Sequence, residues 1–425
     1  MDITLATMVL FPAVAVAAPL LARGAGRFAP VPIVVFEIVL GLLLGPAVLG
    51  WITPNDFTEL LAQFGLAMLF FLAGNEIDFR AVAGRPLRRA SLGWAISLAA
   101  GLGIALLIAP DPAAAAFIGI ALTSTALGTI MPVLRDTRDL SSPFGIGVLA
   151  VGAVGEFGPL IAISLFLSGR TPLHATIVLV LFAVIAAIAI WIAARGGGRG
   201  LHRFIAATLH TSGQFAVRLV LLVLIALAAL SIALGLDMLL GAFTAGVLFR
   251  LLLRGAKPAD AEAVESKLEA VGYGFLVPVF FIGTGVDFDL EALLADGRTI
   301  ALVPIFLVLL LVVRGLPSML AAPPGAGRRD RIATGLFGAT GLPIIVAVTA
   351  IGVDRAELDS GTAAALVGAG MLSVLLYPLI GLAVRGGRAP ASGGPSASDP
   401  AAGRDRAEPP EPPEETGRPH VPDEA

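Results

Sequence analysis

Apolar stretches of about twenty residues recur thirteen times along this 425-residue chain. Each is long enough for a helix to cross a bilayer core of about 30 Å. They lie at roughly 3–22, 30–49, 57–77, 90–109, 113–134, 144–168, 173–194, 216–235, 237–253, 272–287, 299–321, 331–351 and 361–384. The pattern predicts an all-α polytopic membrane protein with about thirteen transmembrane helices. Composition agrees: only 14% of residues are charged, against about a quarter in a soluble protein. The first run has no basic residues before it, so it reads as a retained span, not a cleaved leader.

The loops alternate in charge. Odd loops carry the arginines, among them Arg23, Arg27, Arg80, Arg85, Arg88, Arg89, Arg135, Arg138, Arg195, Arg328 and Arg329. Even loops carry Asp56, Asp111, Asp237, Asp287, Asp289, Asp296, Asp354 and Asp359 and little basic charge. The positive-inside rule then predicts a plasma or inner-membrane protein with its N-terminus outside and its C-terminus in the cytoplasm. Residues 386–425 hold Pro, Gly, Ala and charge without large apolar side chains. They are expected to form a disordered cytoplasmic tail after a membrane domain at 1–385. RGGGRG at 195–200 reads as a flexible linker, because its glycines lack the strand and helix context of a phosphate loop.

Several function classes fall away. The formal net charge of −3 gives no sign of a nucleic-acid partner. With no cysteine, disulfides, thiolate metal sites and cysteine nucleophiles are excluded. The four histidines, His174, His202, His210 and His420, lie outside or at the ends of spans. No HExxH or GxSxG motif occurs, and GTGVD at 283–287 has no partner aspartate on a neighbouring span. No enzyme activity and no cofactor are expected.

The two halves resemble each other. GLAMLFFLAGNEIDF (65–79) pairs with GFLVPVFFIGTGVDF (274–288), and STALGTIMPV (124–133) pairs with ATGLPIIVAV (339–348). The partners are about 209 and 215 residues apart, seven spans in each case. An odd number of spans reverses orientation, so this is an inverted-topology repeat, as in many secondary transporters. Gly128, Pro132, Thr340, Gly341 and Pro343 put hydroxyls and helix breakers inside spans 5 and 12. Freed backbone groups are tolerated at that depth only against protein or a water cavity. Two broken, crossing helices are the expectation, with packing kinks as the plainer reading.

Four ionisable groups fall within spans: Glu37, Glu76, Glu156 and Arg314. Glu37 is near mid-depth and reads equally as a helix–helix hydrogen bonder. Glu76 and Arg314 stand within snorkelling distance of the interface. Glu156, in GAVGEFGPL, is too deep and too short to reach water. Its plain reading is a protonated structural acid; its functional one is an exchangeable carboxylate that takes either a proton or a cation. Thr123, Ser124 and Thr125 offer hard oxygen ligands for a monovalent cation, with Glu76 as a further acid. Arg314 stays charged and offsets part of the negative field. One exchangeable carboxylate beside a fixed arginine predicts one-for-one, electroneutral exchange.

Over about 1–385 these residues resemble the monovalent cation–proton antiporters, in the Kef-like and sodium–proton exchanger branch. The resemblance rests on GLLLGPAVLGW, FGLAMLFFLAGNEIDF, TSTALGTIMPVLRD and GYGFLVPVFFIGTGVDF. It implies a homodimer exchanging Na+ or K+ for H+ by alternating access. Spans 1–3 and 8–10 would form the dimer scaffold, and spans 4–6 and 11–13 the moving core. There are departures. The family places two adjacent polar or acidic residues in span 6, where this chain has Gly155-Glu156, and electrogenic members place a lysine where Arg314 stands. The nucleotide-binding regulatory domain of many Kef-type proteins is missing, so no NAD or glutathione control is expected. Two alternatives stay open: a sodium-coupled organic-anion symporter of the same fold, and a non-transporting sensor or channel-like member. Proton release on adding Na+ or K+ with no organic solute separates the antiporter from the symporter, and a gradient-driven pH change lost in Glu156→Ala but kept in Glu37→Gln sets the sensor aside.

Overall fold

The computed structural model describes residues 5–25, 31–77, 79–167, 172–196, 214–253 and 258–386. These residues form helices joined by turns and short loops, with no strand among them. Nine helices are long and apolar enough to cross a membrane, and four apolar ones are shorter, at 10–17 residues. The chain is therefore an all-α polytopic membrane protein. Length and composition assign nine spans among the described residues; the count of thirteen rests on the sequence pattern. The tail at 387–425 and the linker at 197–200 lie outside the described residues.

In chain order the helices are α1 (Leu5–Ala25), α2 (Ile33–Leu44), α3 (Asp56–Glu76), the short α4 (Phe79–Val82), α5 (Arg85–Ile108), α6 (Pro112–Ala121), α7 (Leu127–Asp136), α8 (Pro143–Phe166) and α9 (Pro172–Gly196). Then come α10 (Phe215–Ala233), α11 (Met238–Leu253), α12 (Pro258–Val271), α13 (Val277–Val286) and α14 (Leu290–Leu294). The last are α15 (Gly297–Leu309), α16 (Arg328–Gly338), α17 (Pro343–Asp354) and α18 (Ser360–Arg385).

Many loop aspartates are helix caps. Asp111, Asp237, Asp289, Asp296 and Asp359 each accept a hydrogen bond from a backbone amide at the start of the next helix. A cap satisfies an amide that has no partner within the helix, and its charge suits the positive end of the dipole. The acidity of the even loops thus has a local structural cause as well as a topological one.

One boundary differs from the sequence reading. Residues 258–271 belong to helix α12, not to a loop between spans. PADAEAVESKLEAV is rich in strong helix formers, and Val264 and Leu268 are buried at helical spacing. A π-helical segment, Gly272–Leu276, joins α12 to α13. A second, Leu310–Gly315, extends α15. Such segments are rare and tend to occur at functional sites; these two carry Tyr273 and Arg314.

Close packing uses glycine. A Cβ added at Gly41, Gly65, Gly74, Gly246 or Gly285 would stand 2.2, 2.1, 2.2, 1.9 and 2.0 Å from a carbonyl oxygen of the facing helix. These contacts press α2 and α3 against the Gly272–Val286 helix, and α3 against α11. In lipid, where apolar surface gives no drive to pair, small residues let backbones approach to dispersion contact. Between α8 and α11 an aromatic pair makes contact: Phe157 of α8 stacks on Phe243 of α11, with centroids 5.4 Å apart and planes at 26°.

Candidate functional site

Two interruptions face each other inside the bundle. After α6 the chain unwinds over residues 122–126 and resumes as α7; after α16 it unwinds over 339–342 and resumes as α17. The sequence pattern centred the first break on Gly128 and Pro132, but both fall within α7. Pro132 is only the sixth residue of that helix, where its missing N–H costs one bond. The unwinding comes at the hydroxyls instead, which offer the backbone alternative partners. Thr123 Oγ1 donates to the Ile120 carbonyl at 2.8 Å, and Ser124 Oγ to that of Ala121 at 2.9 Å. In the second break, Thr340 and Gly341 lie in the unwound stretch and Pro343 opens α17.

The breaks are tied together. The Ala126 amide donates to the Thr340 carbonyl at 2.7 Å, and the Thr125 amide to the Gly155 carbonyl of α8 at 3.0 Å. Thr125 Oγ1 donates to the Gly338 carbonyl at 2.6 Å and accepts from Arg314 Nε at 2.8 Å. Thr125 is therefore a strut between the two breaks. Thr123 is buried but does not line the central cavity. Its methyl instead lies beside Gly101 of α5. Of the three hydroxyl residues, Ser124 and Thr125 reach the cavity.

Glu156 sits in mid-α8 and is buried. Its Oε1 accepts from the Leu127 amide at 2.8 Å, the first residue of α7. Ala126 precedes that helix and has no side chain able to cap it, so Glu156 supplies the cap from a neighbouring helix. The partial positive charge of a helix N-terminus suits a carboxylate there. Its Oε2 is buried without a partner.

Arg314 is fully buried, so it does not snorkel. Nε bonds Thr125 and Nη2 donates to the Val151 carbonyl at 2.8 Å, while Nη1 has no partner. No ion pair joins it to Glu156 among the described residues. What makes room for it is Gly155: a Cβ there would lie 2.5 Å from Arg314 Nη2 and 2.5 Å from Thr125 Oγ1. The missing side chain beside Glu156 is the space that the guanidinium fills.

A cavity of about 530 Å³ reaches this crossing, with Glu37, Glu76, Ser124, Thr125, Glu156 and Tyr273 on its wall. Arg135 and Glu269, both exposed, also line it, so it opens to the surface on their side. Gly128 lines it too, and a Cβ there would stand 3.9 Å from the Tyr273 hydroxyl, an ordinary contact. Glu76 ends α3, and its Oε1 accepts from the Tyr273 hydroxyl at 3.0 Å while its Oε2 is buried and unpartnered. Tyr273 lies inside GYGFLVPVFFIGTGVDF but was not among the candidate site residues read from the sequence. Its signal was scarcity, as one of two tyrosines in the chain, set in an apolar run. Ser373 was missed as well. It accepts from the Gly341 amide at 3.1 Å, which ties the second break to α18, and its single proton lies between the carbonyls of Gly370 at 2.7 Å and Gly341 at 3.0 Å. Among the described residues no group of three or more His, Cys, Asp or Glu could hold a metal ion.

A family profile described as "Sodium/hydrogen exchanger, transmembrane" matches residues 13–382. The chain belongs to the sodium/hydrogen exchanger family. This is the branch that the four motifs resemble, and it is a family of transporters, not of enzymes. Curated relatives of this exchanger-family chain include YjbQ of Bacillus subtilis (strain 168), 28% identical over 82% of this chain and 58% of that protein. A Na+/H+ antiporter of Enterococcus hirae is 24% identical over 82% of this chain and 91% of its own. The Na+/H+-K+ antiporter GerN of Bacillus cereus is 25% identical over 62% and 67%. The chain thus spans a little over half of YjbQ and most of the Enterococcus protein. Among solved structures, the sodium proton antiporter MjNhaP1 of Methanocaldococcus jannaschii superposes with a TM-score of 0.63. That match covers 90% of this chain and 97% of the other at 18% identity, a likeness of fold.

Proposed function

We propose that this exchanger-family chain is a secondary antiporter that exchanges Na+ or K+ for H+ by alternating access. The observation that carries the reading is Glu156: buried at the crossing, one oxygen held by an α7 amide, the other without a protein partner, on the wall of an open cavity. Such an acid needs a proton or a cation to complete it. Ionised and empty, it resists transfer through an apolar barrier at a cost of several kcal/mol. Loaded with either ion, it moves. Conformational switching is then confined to loaded states, which couples the two fluxes.

Ser124 and the carbonyls of residues 122–126 supply neutral oxygens to the cation, and Glu76 a further carboxylate. Arg314 is fixed by Thr125 and Val151 and keeps its charge, so a single exchangeable acid gives one-for-one, electroneutral exchange. The relatives' names support the cation and proton pair and include both Na+ and K+. The arginine-bearing loops support an N-terminus outside, and in that orientation the cavity mouth, at Arg135, faces the cytoplasm. In this arrangement α1–α3 and α10–α13 serve as the scaffold of a homodimer, and α5–α8 and α15–α18 as the moving core.

The test is proton flux in proteoliposomes against a panel of cations, with Glu156→Gln and Arg314→Ala alongside. Proton release on adding Na+ or K+ alone, lost in Glu156→Gln and insensitive to membrane potential, is expected. A requirement for an organic solute, or flux driven strongly by the potential, refutes the reading.

A further inference from the structure

The three carboxylates on the cavity wall differ in what holds them. Glu156 is held by the Leu127 amide and Glu76 by the Tyr273 hydroxyl. Glu37, on α2, is 4% exposed and forms no hydrogen bond or ion pair among the described residues. It is therefore not the helix–helix hydrogen bonder that its place in the sequence allowed.

Its direction is fixed by the packing of α2. Gly41, one turn further along, abuts the Ile282 carbonyl, and Gly285 abuts that of Ile38. That contact sets the rotation of α2, because no other face can come so close to α13. Glu37 then falls one turn nearer the start of both helices, beside Pro278 and Phe281, which share the cavity wall with it. The remaining titratable groups on that wall are Glu76, Glu156, Glu269, Arg135 and Tyr273, four acids with Glu37 against one base. Glu76 stands near enough to Glu156 for their charges to interact, and Glu37 stands on a different helix from both.

A buried carboxylate that no protein group satisfies must find its partner in the cavity. The geometry points to Glu37 as a second binding station for a hydrated monovalent cation, apart from Glu156 and nearer the start of α2. This rests on the transport reading for its purpose. It does not rest on that reading for its existence. An acid there concentrates cations before they reach Glu156, as a cleft lined by one sign of charge does. It acts on capture and leaves the switching step alone.

Two measurements decide the matter. In proteoliposomes, Glu37→Gln is expected to raise the apparent KM for Na+ three- to tenfold, with kcat within about twofold of the parent. Glu37→Asp should restore most of the affinity, and the difference should shrink as choline chloride raises the ionic strength. An unchanged KM, or a fall in kcat at constant KM, overturns the proposal. The second measurement needs no transport: radioactive Na+ binding to purified protein carrying Glu156→Gln. Weak residual binding that disappears on adding Glu37→Gln is expected; absence of residual binding, or its survival in the double variant, overturns the station. A parent that binds Na+ in this way but exchanges nothing would remove the antiporter reading and leave Glu37 in place. Should Glu37→Gln fail to fold, Glu37→Leu takes its place in both measurements with the same expected and overturning results.

Discussion

The two unwound stretches occupy equivalent places in an inverted repeat and carry different chemistry. At 122–126 the chain presents three hydroxyl residues, and the helix that follows is capped by a carboxylate from α8. At 339–342 the helix that follows opens on Pro343 without a side-chain cap. There Ser373 Oγ accepts from the Gly341 amide, with its proton between the Gly370 and Gly341 carbonyls, and Thr340 Oγ1 turns back to the Leu336 carbonyl. One stretch leaves oxygens beside an unpartnered acid, and the other is braced on both sides. The paired breaks therefore differ in what they offer: the first turns oxygens toward the cavity, as the proposed ion site requires, and the second is held by Ser373.

That contrast is broken most directly at Glu156. Glu156→Gln should lower cation-driven proton flux at least about 100-fold, the equivalent of about 2.7 kcal/mol, while Thr340→Ala lowers it less than tenfold. Equal losses in the two variants would erase the distinction. Next is Gly155→Ala, which forces a methyl into the space of the Arg314 guanidinium and Thr125. Overpacking of this kind costs about 1–3 kcal/mol. Flux should fall more than tenfold with a lowered Tm, and the Tm losses of Gly155→Ala and Arg314→Lys should be less than additive in the double variant. Additive losses would mean that the two residues do not share a space.

Ser373→Ala sharpens the other side. It strips the buried Gly341 amide of its partner, at a cost of about 1–3 kcal/mol. The expected result is a lower Tm and a slower maximal rate with the KM for Na+ within twofold, since the first break is untouched. The smallest effect belongs to Asp296, outside both breaks. The amide and hydroxyl of Thr299 hold its carboxyl below the usual aspartate range. A lowered folded value gives stability that is present above the unfolded value and lost as pH falls through the folded one. Because the group is exposed, Asp296→Asn should flatten the acid limb of the Tm–pH curve only slightly and leave exchange alone.

Much of this was legible in the residue string because it rests on hydropathy and spacing. Runs of apolar residues mark the spans, and the matched segments at 65–79 and 274–288 mark the repeat. What escaped depended on neighbours distant in sequence. Gly155 looks like a missing ligand until Arg314, 159 residues later, is seen in its space. The break lies before Gly128 and Pro132 because Thr123 and Ser124 satisfy backbone carbonyls locally, an effect that ranking Gly and Pro as breakers overlooks. Residues 258–271 read as a loop because they carry charge, although their alanines and glutamates favour a helix. Tyr273 stood unremarked inside GYGFLVPVFFIGTGVDF and Ser373 gave no motif at all, since a lone hydroxyl acquires a role only when its partner arrives from another span.

The glycine contacts between α2, α3, α11 and α13 have a mechanical consequence. Where one backbone rests in the hollow of another, a shift of one residue would drive a side chain into a carbonyl, so those joints are keyed and cannot creep. The aromatic contact of Phe157 on Phe243 has no such key, and flat rings glide. Displacement along that ring face meets less resistance than displacement across the glycine joints, and alanine at one of those glycines would act as a wedge.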